Sequence, residues 1–522
     1  MRGRSMQSNI MIVLLCIFLG PSLYAQVDET PLAQQYVEAA LQAIQNGRWQ
    51  DAEALLEQGS DFSAASSDLS YLLALVHFQL DRPIRSVLEA LRQAKMTDRW
   101  QRYTDEAASL LETQALMHMR QFEQAQQILS RLFPSADVLY FRLKILALQN
   151  EQRQFTQLFS KVIYTYPLDP RFAELYFGYM KNKAPGPQDL PLISLLLSRL
   201  PALQKIDPIL PVMAIPFIQD VSERRRIYES YRALGKDLFP ILGLGLELGV
   251  LDEITAINEL VNNNIIPVEL ARQVWGQLRT DKSRQYFSDA LAQFSGYMSE
   301  DSDGDGISEA LVEYQNGSIK GYRFDANQDK QDEIQVVFEQ GIPKEGTIAP
   351  YEGTLNARVL WDVYPLVEQI TAGPNTYIPA PAGFNYAPFK LKPLVGTYPD
   401  MPVLFPEREP FLPRITERAL VSFAAKIIRP GNLAKDSIET IELHKGLPLR
   451  SIETLKGRII SVLEFSLGQP SIQHIDMDLD GRLETVRRFR IGTVNLDPVE
   501  ALDYQQSYYS IESDWDGNGI FE

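Results

Sequence analysis

Asp301-Ser302-Asp303-Gly304-Asp305-Gly306-Ile307-Ser308-Glu309, followed by Ala310-Leu311-Val312-Glu313-Tyr314, Gln315-Asn316-Gly317-Ser318 and Ile319-Lys320-Gly321-Tyr322-Arg323-Phe324, marks where the chain changes from helical to strand patterning. The two runs after Glu309 are short and alternating. They are joined by Asn-Gly, a pair that accepts the positive φ angles of a tight turn, so the stretch predicts a β-hairpin entered through an acidic loop. Upstream of Gly296, apolar residues recur at helical spacing; downstream they alternate. The expected fold class is therefore α+β and multidomain, with an N-terminal α-helical solenoid followed by a β-rich C-terminal domain of antiparallel hairpins.

The acidic loop recurs. An acid or amide at positions one, three and five, with Glu at position nine, occurs as Asp301/Asp303/Asp305/Glu309, Asp325/Asn327/Asp329/Glu333, Asp476/Asp478/Asp480/Glu484 and Asp514/Asp516/Asn518/Glu522. Oxygen donors at alternate positions, with Gly306, Gly481 and Gly519 at position six, suit a hard divalent cation such as calcium. Asp and Gly also make turns without a metal, but turn chemistry does not require the Glu. The second loop has Lys330 in place of the glycine, and the fourth ends on Glu522. These loops resemble the start of an EF-hand loop, yet position twelve is Val312, Val336 or Arg487, so Glu at position nine would have to close the site. Their strand-flanked setting resembles that of bacterial extracellular repeat and propeller domains.

Between Pro31 and about Pro170 the helical segments look alike, most clearly at Asn46-Gly47-Arg48-Trp49-Gln50-Asp51-Ala52-Glu53-Ala54-Leu55-Leu56. This resembles the tetratricopeptide repeat, in which a turn glycine, an aromatic residue and a small alanine let two antiparallel helices pack closely. Taking Ala52 as the small-residue position places its equivalents at Ser86, Ala125 and Leu158, spaced by 34, 39 and 33 residues. Phe122 and Phe155 then match Trp49, and Pro170 matches the proline that ends the family's second helix. Pro83, Thr113 and Leu146 depart from the pattern. The resemblance implies a curved array whose concave face holds a protein partner.

The expected organisation is a signal peptide over 1–25, repeats over 26–180, further helical hairpins over 181–295, and a β-rich domain over 296–522 with a proline and aromatic insertion at 371–413. In the third region helices are expected over 190–200, 221–234, 251–263 and 267–294, with Asp189 capping the first. Residues 415–428 fit a helix or a long strand. Arg2, Arg4, the apolar stretch 10–19 and Ala25 read as a secretory leader cut after Ala25. Acylation at Cys16, the only cysteine, is disfavoured by the bulky Leu15, and cleavage after Ala25 would leave a mature chain without disulfides. Localisation is accordingly expected to be exported, periplasmic or associated with the cell envelope.

A net charge of −17 and a pI near 4.9, with no basic run, argue against nucleic acid as a partner. No later segment has the run of about twenty apolar residues that a membrane span needs. His77, His118, His444 and His474 are too scattered for a zinc cluster. No Gly-x-Ser-x-Gly, His-Glu-x-x-His or phosphate loop is present. The chain thus reads as a non-enzymatic exported scaffold with a protein partner on its helical repeats and calcium in its acidic loops. A second reading makes it a cell-wall polysaccharide-binding or glycan-active protein, with the aromatics of 371–413 as a stacking cleft. Those aromatics equally suit packing on the chain's own sheet.

Overall fold

The computed structural model describes residues 31–181, 183–236, 238–349, 356–381, 383–390, 406–408, 415–490, 499, 502 and 508–514. The expected leader, most of the fourth acidic loop and much of 371–413 lie outside the described residues. The chain divides into two compact units. One holds the helical residues through Ala290 together with 298–309 and 325–331; the other holds 291–297, 310–324 and everything from Asp332 onward.

In the helical unit four hairpins follow one another: α1 (Pro31–Gln45) with α2 (Trp49–Gln58), α3 (Ser67–Gln79) with α4 (Ile84–Thr97), α5 (Asp105–His118) with α6 (Phe122–Arg131), and α7 (Ala136–Leu148) with α8 (Gln152–Thr165). Each turns on one residue in the left-handed region: Gly47 at φ +71°, Asp81 at +55°, Arg120 at +56° and Asn150 at +57°. The residue that follows bonds back to the carbonyl five positions earlier, as in Arg48 N to Ala43 O at 2.9 Å and Glu151 N to Leu146 O at 2.9 Å. One glycine and three non-glycine residues therefore build the same turn. Hydroxyl caps open the later hairpins, with Ser66, Thr104 and Ser135 accepting from Leu69, Ala107 and Val138 N–H groups.

Counting from these turns fixes the register. Five residues beyond them stand Ala52, Ser86, Ala125 and Phe155, of which the first, third and fourth are fully buried. The fourth repeat is thus set three residues away from the sequence expectation: Phe155, and not Leu158, is the equivalent of Ala52. Matching its ring to Trp49 misplaced it, because the turn residue rather than the aromatic decides the phase. Pro170 also differs, opening α9 (Pro170–Met180) at the first helical position behind the Asp169 cap, where its missing N–H costs nothing.

The helical chain continues through α10 (Asp189–Leu203), α11 (Leu210–Met213), α12 (Val221–Ala233), α13 (Leu242–Glu247), α14 (Glu253–Val261), β1 (Ile265–Pro267), α15 (Val268–Gln277) and α16 (Asp281–Leu291). Asp189 lies inside the first turn of α10 rather than capping it. Its buried carboxylate accepts from Gly186 N at 2.9 Å, Thr156 Oγ1 at 3.1 Å and Tyr176 OH at 3.3 Å, tying three helical segments together. The single helix expected over 267–294 is broken because Thr280 starts a new one, its hydroxyl accepting from Ser283 N at 3.1 Å.

After β2 (Gly296–Glu300) come β3 (Ala310–Gln315), β4 (Ser318–Phe324), β5 (Ile334–Glu339), β6 (Ile342–Ile348), β7 (Ala357–Val363), β8 (Leu366–Ala372) and β9 (Asn375–Pro379). A two-residue ladder of β10 (Phe389–Lys390) and β11 (Glu407–Arg408) stands apart. Then α17 (Glu417–Phe423) runs directly into β12 (Ala424–Pro430), so the ambiguous segment 415–428 is a helix and a strand in succession. The rest are β13 (Ile438–His444), β14 (Leu447–Leu455), β15 (Arg458–Ser466), β16 (Gln469–Ile475), β17 (Thr485–Phe489) and β18 (Tyr508–Ser513).

From β3 onward, leaving out β10 and β11, the strands of the second unit pair antiparallel in chain order with β12 beside β9. They form one continuous meander rather than separate four-stranded blades. Two-residue turns with both φ angles positive close five hairpins, at Asn316-Gly317, Gln340-Gly341, Lys445-Gly446, Lys456-Gly457 and Leu467-Gly468. This mirror-image turn matches strand twist and favours a glycine at its second, left-handed position. Alternating burial follows, as in β5, where Ile334, Val336 and Phe338 are buried and Gln335, Val337 and Glu339 exposed. The described aromatics of 371–413 pack inward: Tyr377, Tyr386 and Phe389 are buried, and the Tyr386 carbonyl accepts from Trp361 Nε1 at 2.8 Å.

Candidate metal centre

The first loop is built by its own carboxylates. Asp301 Oδ1 accepts from Gly304 N at 2.7 Å and Asp305 N at 3.2 Å, while Oδ2 accepts from Gly306 N at 2.8 Å. Asp303 Oδ1 accepts from Asp305 N at 3.0 Å, and Asp305 Oδ1 from Ile307 N at 2.8 Å. Glu309 reaches back to position two, accepting from Ser302 N at 2.8 Å and Ser302 Oγ at 2.9 Å. Position four and position six are left-handed, at φ +77° for Gly304 and +89° for Gly306.

The third loop repeats this plan in the second unit. Asp476 accepts from Asp480 N at 3.1 Å and Gly481 N at 2.9 Å, Asp478 from Asp480 N at 3.0 Å, Asp480 from Arg482 N at 2.8 Å, and Glu484 from Met477 N at 2.6 Å. In each of these two loops all four acids offer an oxygen, and these oxygens lie within 4.8 Å of one another. Four carboxylates so placed repel unless protons, cationic side chains or a metal ion intervene.

Protein groups meet that charge differently at each loop. At the first, the Arg120 guanidinium, from the turn between α5 and α6, donates to Asp303. Partial burial, then the neighbouring Asp305 and Glu309, push the Asp303 carboxyl up to about 6, while Arg120 pulls the other way. Burial also raises Asp305. Glu309 is pushed up by burial but held below its ordinary range by the two Ser302 donors. Lys144, driven down by burial, lies in the attractive field of Asp305.

The second loop keeps the backbone and has lost the cluster. Asp325 accepts from Asp329 N at 3.1 Å and Lys330 N at 2.8 Å, and Asn327 from Asp329 N at 2.9 Å. Among the described residues, Asp325, Asp329 and Glu333 are not gathered as the other two sets are. Lys330 holds position six at φ +69° and sends its ammonium to Asp81 at 2.9 Å. The Asp329 carbonyl accepts from Ile84 N at 2.9 Å, so the loop is a docking piece within the helical unit. Of the fourth loop, Asp514 is described and bonds Glu484 O through its N–H at 2.8 Å; Asp516, Asn518 and Glu522 are outside the described residues. The same bond links the first two loops, Asp325 N to Glu309 O at 2.9 Å.

Sequence reading missed Arg120, Ser302 and Gln328 at the first loop. Ser302 was legible as position two; the others come from outside the motif and only folding brings them there. Other acid groups are already satisfied. Glu53, near Glu57 and His77, receives Arg82 in a fork at 2.6 and 2.5 Å. Glu439 and Glu453 face each other across β13 and β14, but Arg429 and Ser451 hold the first and Leu433 N and Ser437 the second. Neither set offers a free acid and base to a substrate.

No protein-family model matches the chain. A protein of Treponema pallidum (strain Nichols), described as uncharacterized, is 23% identical over 634 aligned positions that span 95% of this chain and 79% of the relative. Among solved structures, the Pseudomonas aeruginosa pilF protein aligns over 40% of this chain and 93% of its own at 16% identity and a TM-score of 0.32. TTC0263, a thermophilic TPR protein of Thermus thermophilus, aligns over 38% of this chain and 97% of its own at 16% identity and a TM-score of 0.27. Similarity of this size carries no conclusion about function. The repeat character of the helical unit is carried by its own turns and helix pairs. Among the described residues no helix is long and apolar enough to cross a membrane.

Proposed function

We propose that the protein is an exported, non-enzymatic scaffold whose tetratricopeptide-like helical array takes a protein partner and whose acidic loops hold calcium as a structural ion. The observation that carries the metal reading is the convergence of four carboxylate oxygens within 4.8 Å in both the first and the third loop. Asp301, Asp303, Asp305 and Glu309 would hold one ion, and Asp476, Asp478, Asp480 and Glu484 another. A bound calcium supplies the positive charge that each quartet lacks and stiffens the loop; no reaction step is assigned to it. The backbone of each loop is already shaped by its own hydrogen bonds, so binding would cost little reorganisation.

The scaffold reading is supported by the regular hairpin array and by the absence, among the described residues, of a nucleophile paired with a base. The glycan reading needs aromatic faces open to solvent. Tyr377, Tyr386 and Phe389 are buried instead, which leaves that reading unsupported by the described part of the segment.

Calcium titration of the full chain by calorimetry, followed by thermal melts in calcium and in chelator, tests the metal assignment. Two classes of site are expected, one removed by Asp303→Ala and the other by Asp478→Ala, each with a higher melting temperature in calcium. Absence of binding heat at millimolar calcium would reduce the loops to hydrogen-bonded turns.

A further inference from the structure

Beside the first quartet one buried acceptor has no donor. Gln328 stands at position four of the second loop with its side chain 1% exposed. Its Nε2 donates to Glu309 Oε1 at 2.9 Å, and its Oε1 meets no hydrogen-bond partner. A buried amide oxygen left unsatisfied costs about 1–3 kcal/mol, so such groups are uncommon without a reason. The two ends of the amide share one carbon, and a half-turn of that group exchanges nitrogen for oxygen. Without an ion, the carboxylates favour the donor end. With a divalent cation among them, the same position favours oxygen.

We propose that the first loop is a composite divalent-cation site in which Gln328 Oε1, contributed by the second loop, is a direct ligand beside Asp301, Asp303, Asp305 and Glu309. The inference rests on the calcium reading of that loop and adds the residue that sets its strength. Calcium takes six to eight oxygens, more than four monodentate carboxylates provide, so a neutral oxygen at the rim completes the shell without adding to the repulsion. The second loop can hold the amide still. It is fastened by Asp325 N to Glu309 O at 2.9 Å, by Lys330 Nζ to Asp81 at 2.9 Å and by Ile84 N to Asp329 O at 2.9 Å. The positive φ of Gln328, +56°, belongs to the loop plan: Gly304 and Leu479 occupy that position in the first and third loops at +77° and +65°. A loop that has given its own glycine position to lysine thereby acts as an arm of its neighbour's site. The third loop is joined by the same backbone bond to the fourth, whose position four is Gly517 and carries no side chain to lend.

The test uses the full chain carrying Asp478→Ala and Asp516→Ala, which leaves the first loop as the intact quartet. Terbium luminescence lifetimes in light and heavy water count the waters on the bound ion, and calorimetry gives the calcium affinity. Gln328→Met, close in shape but without the amide oxygen, is expected to gain about one bound water and to weaken calcium binding about tenfold. Gln328→Asn, which keeps the amide but draws it back by a methylene, guards against a Met variant that fails to fold and should gain the same water. Weakened affinity with an unchanged water count would make Gln328 a positioning group for Glu309 and overturn the ligand assignment. An unchanged affinity and water count, with binding still abolished by Asp303→Ala, would overturn it while leaving the calcium reading intact. No binding of either ion to the parent chain would remove both.

Discussion

His118 shows how strongly a single position in the helical unit is set by its surroundings. Its ring stands edge-on to Phe78 at 5.3 Å between centroids, and burial first, then Lys330 and Lys144, push its imidazolium down to about 4, with Asp81 opposing. The folded value lies below the unfolded one. The fold therefore favours the neutral ring, and the stability it gains is present above about pH 6.5 and lost as pH falls toward 4. Between about pH 7 and about pH 5 the loss should be on the order of 2 kcal/mol. Urea unfolding of the parent and His118→Phe at both pH values checks this, because other titrating groups cancel in the difference; equal acid sensitivity would refute it. Gly306 gives a second residue-level outcome. At φ +89° with open space where a methyl group would stand, Gly306→Ala meets no clash, so its cost of about 1–2 kcal/mol is backbone strain alone. Thermal melts should show that loss, together with weaker calcium binding.

At the scale of elements, the hairpins are defined by their turns more than by their consensus residues. The helical turn tolerates Gly, Asp, Arg or Asn at one left-handed position, and what stands five residues later is buried whether it is Ala52, Ala125 or Phe155. Phe155 stacks on Phe159 at 5.9 Å and approaches Tyr179 at 4.3 Å, so it anchors the α8 and α9 layer. Phe155→Ala should cost about 3–5 kcal/mol, whereas Leu158→Ala, at the half-buried position, should cost clearly less. Chemical denaturation of both variants distinguishes the two registers; the reverse order would reinstate the spacing of 33 residues. In the sheet, glycine at the second turn position repeats five times. That repetition keeps the meander in one register over consecutive hairpins.

For the whole molecule, an acidic chain of net charge −17 concentrates part of that charge in loops that fold by hydrogen-bonding to themselves. Calcium would neutralise it where it is densest. With dissociation constants on the order of 10⁻⁴ to 10⁻³ M, as in extracellular modules, about 10 mM calcium should stabilise each occupied loop by about 1.4–2.7 kcal/mol. Full-chain melts at rising calcium concentration should climb logarithmically once the sites are loaded, and magnesium at equal concentration should do less because its rigid octahedral shell suits these loops poorly. A magnesium shift as large as that of calcium would point to charge screening instead of a site.

The sequence by itself determined the change from helices to strands near Gly296, the antiparallel hairpins, the repeated helical hairpins and the shared plan of the acidic loops. These depend on local periodicity, on turn residues and on side chains bonding backbone two to five positions away, all of which are written in neighbouring residues. Tertiary structure decided the rest. It set the fourth repeat on Asn150, made Asp189 a buried tie instead of a cap, and assigned 298–309 and 325–331 to the helical unit. It also distinguished the loops that look alike in sequence, because Arg120 meets Asp303 across 183 positions and Lys330 meets Asp81 across 249. Contacts over such separations carry no local pattern. They follow from which surfaces come together when the chain is packed, and that is why Gln328 is an ordinary loop residue in the sequence and a buried neighbour of Glu309 in the fold.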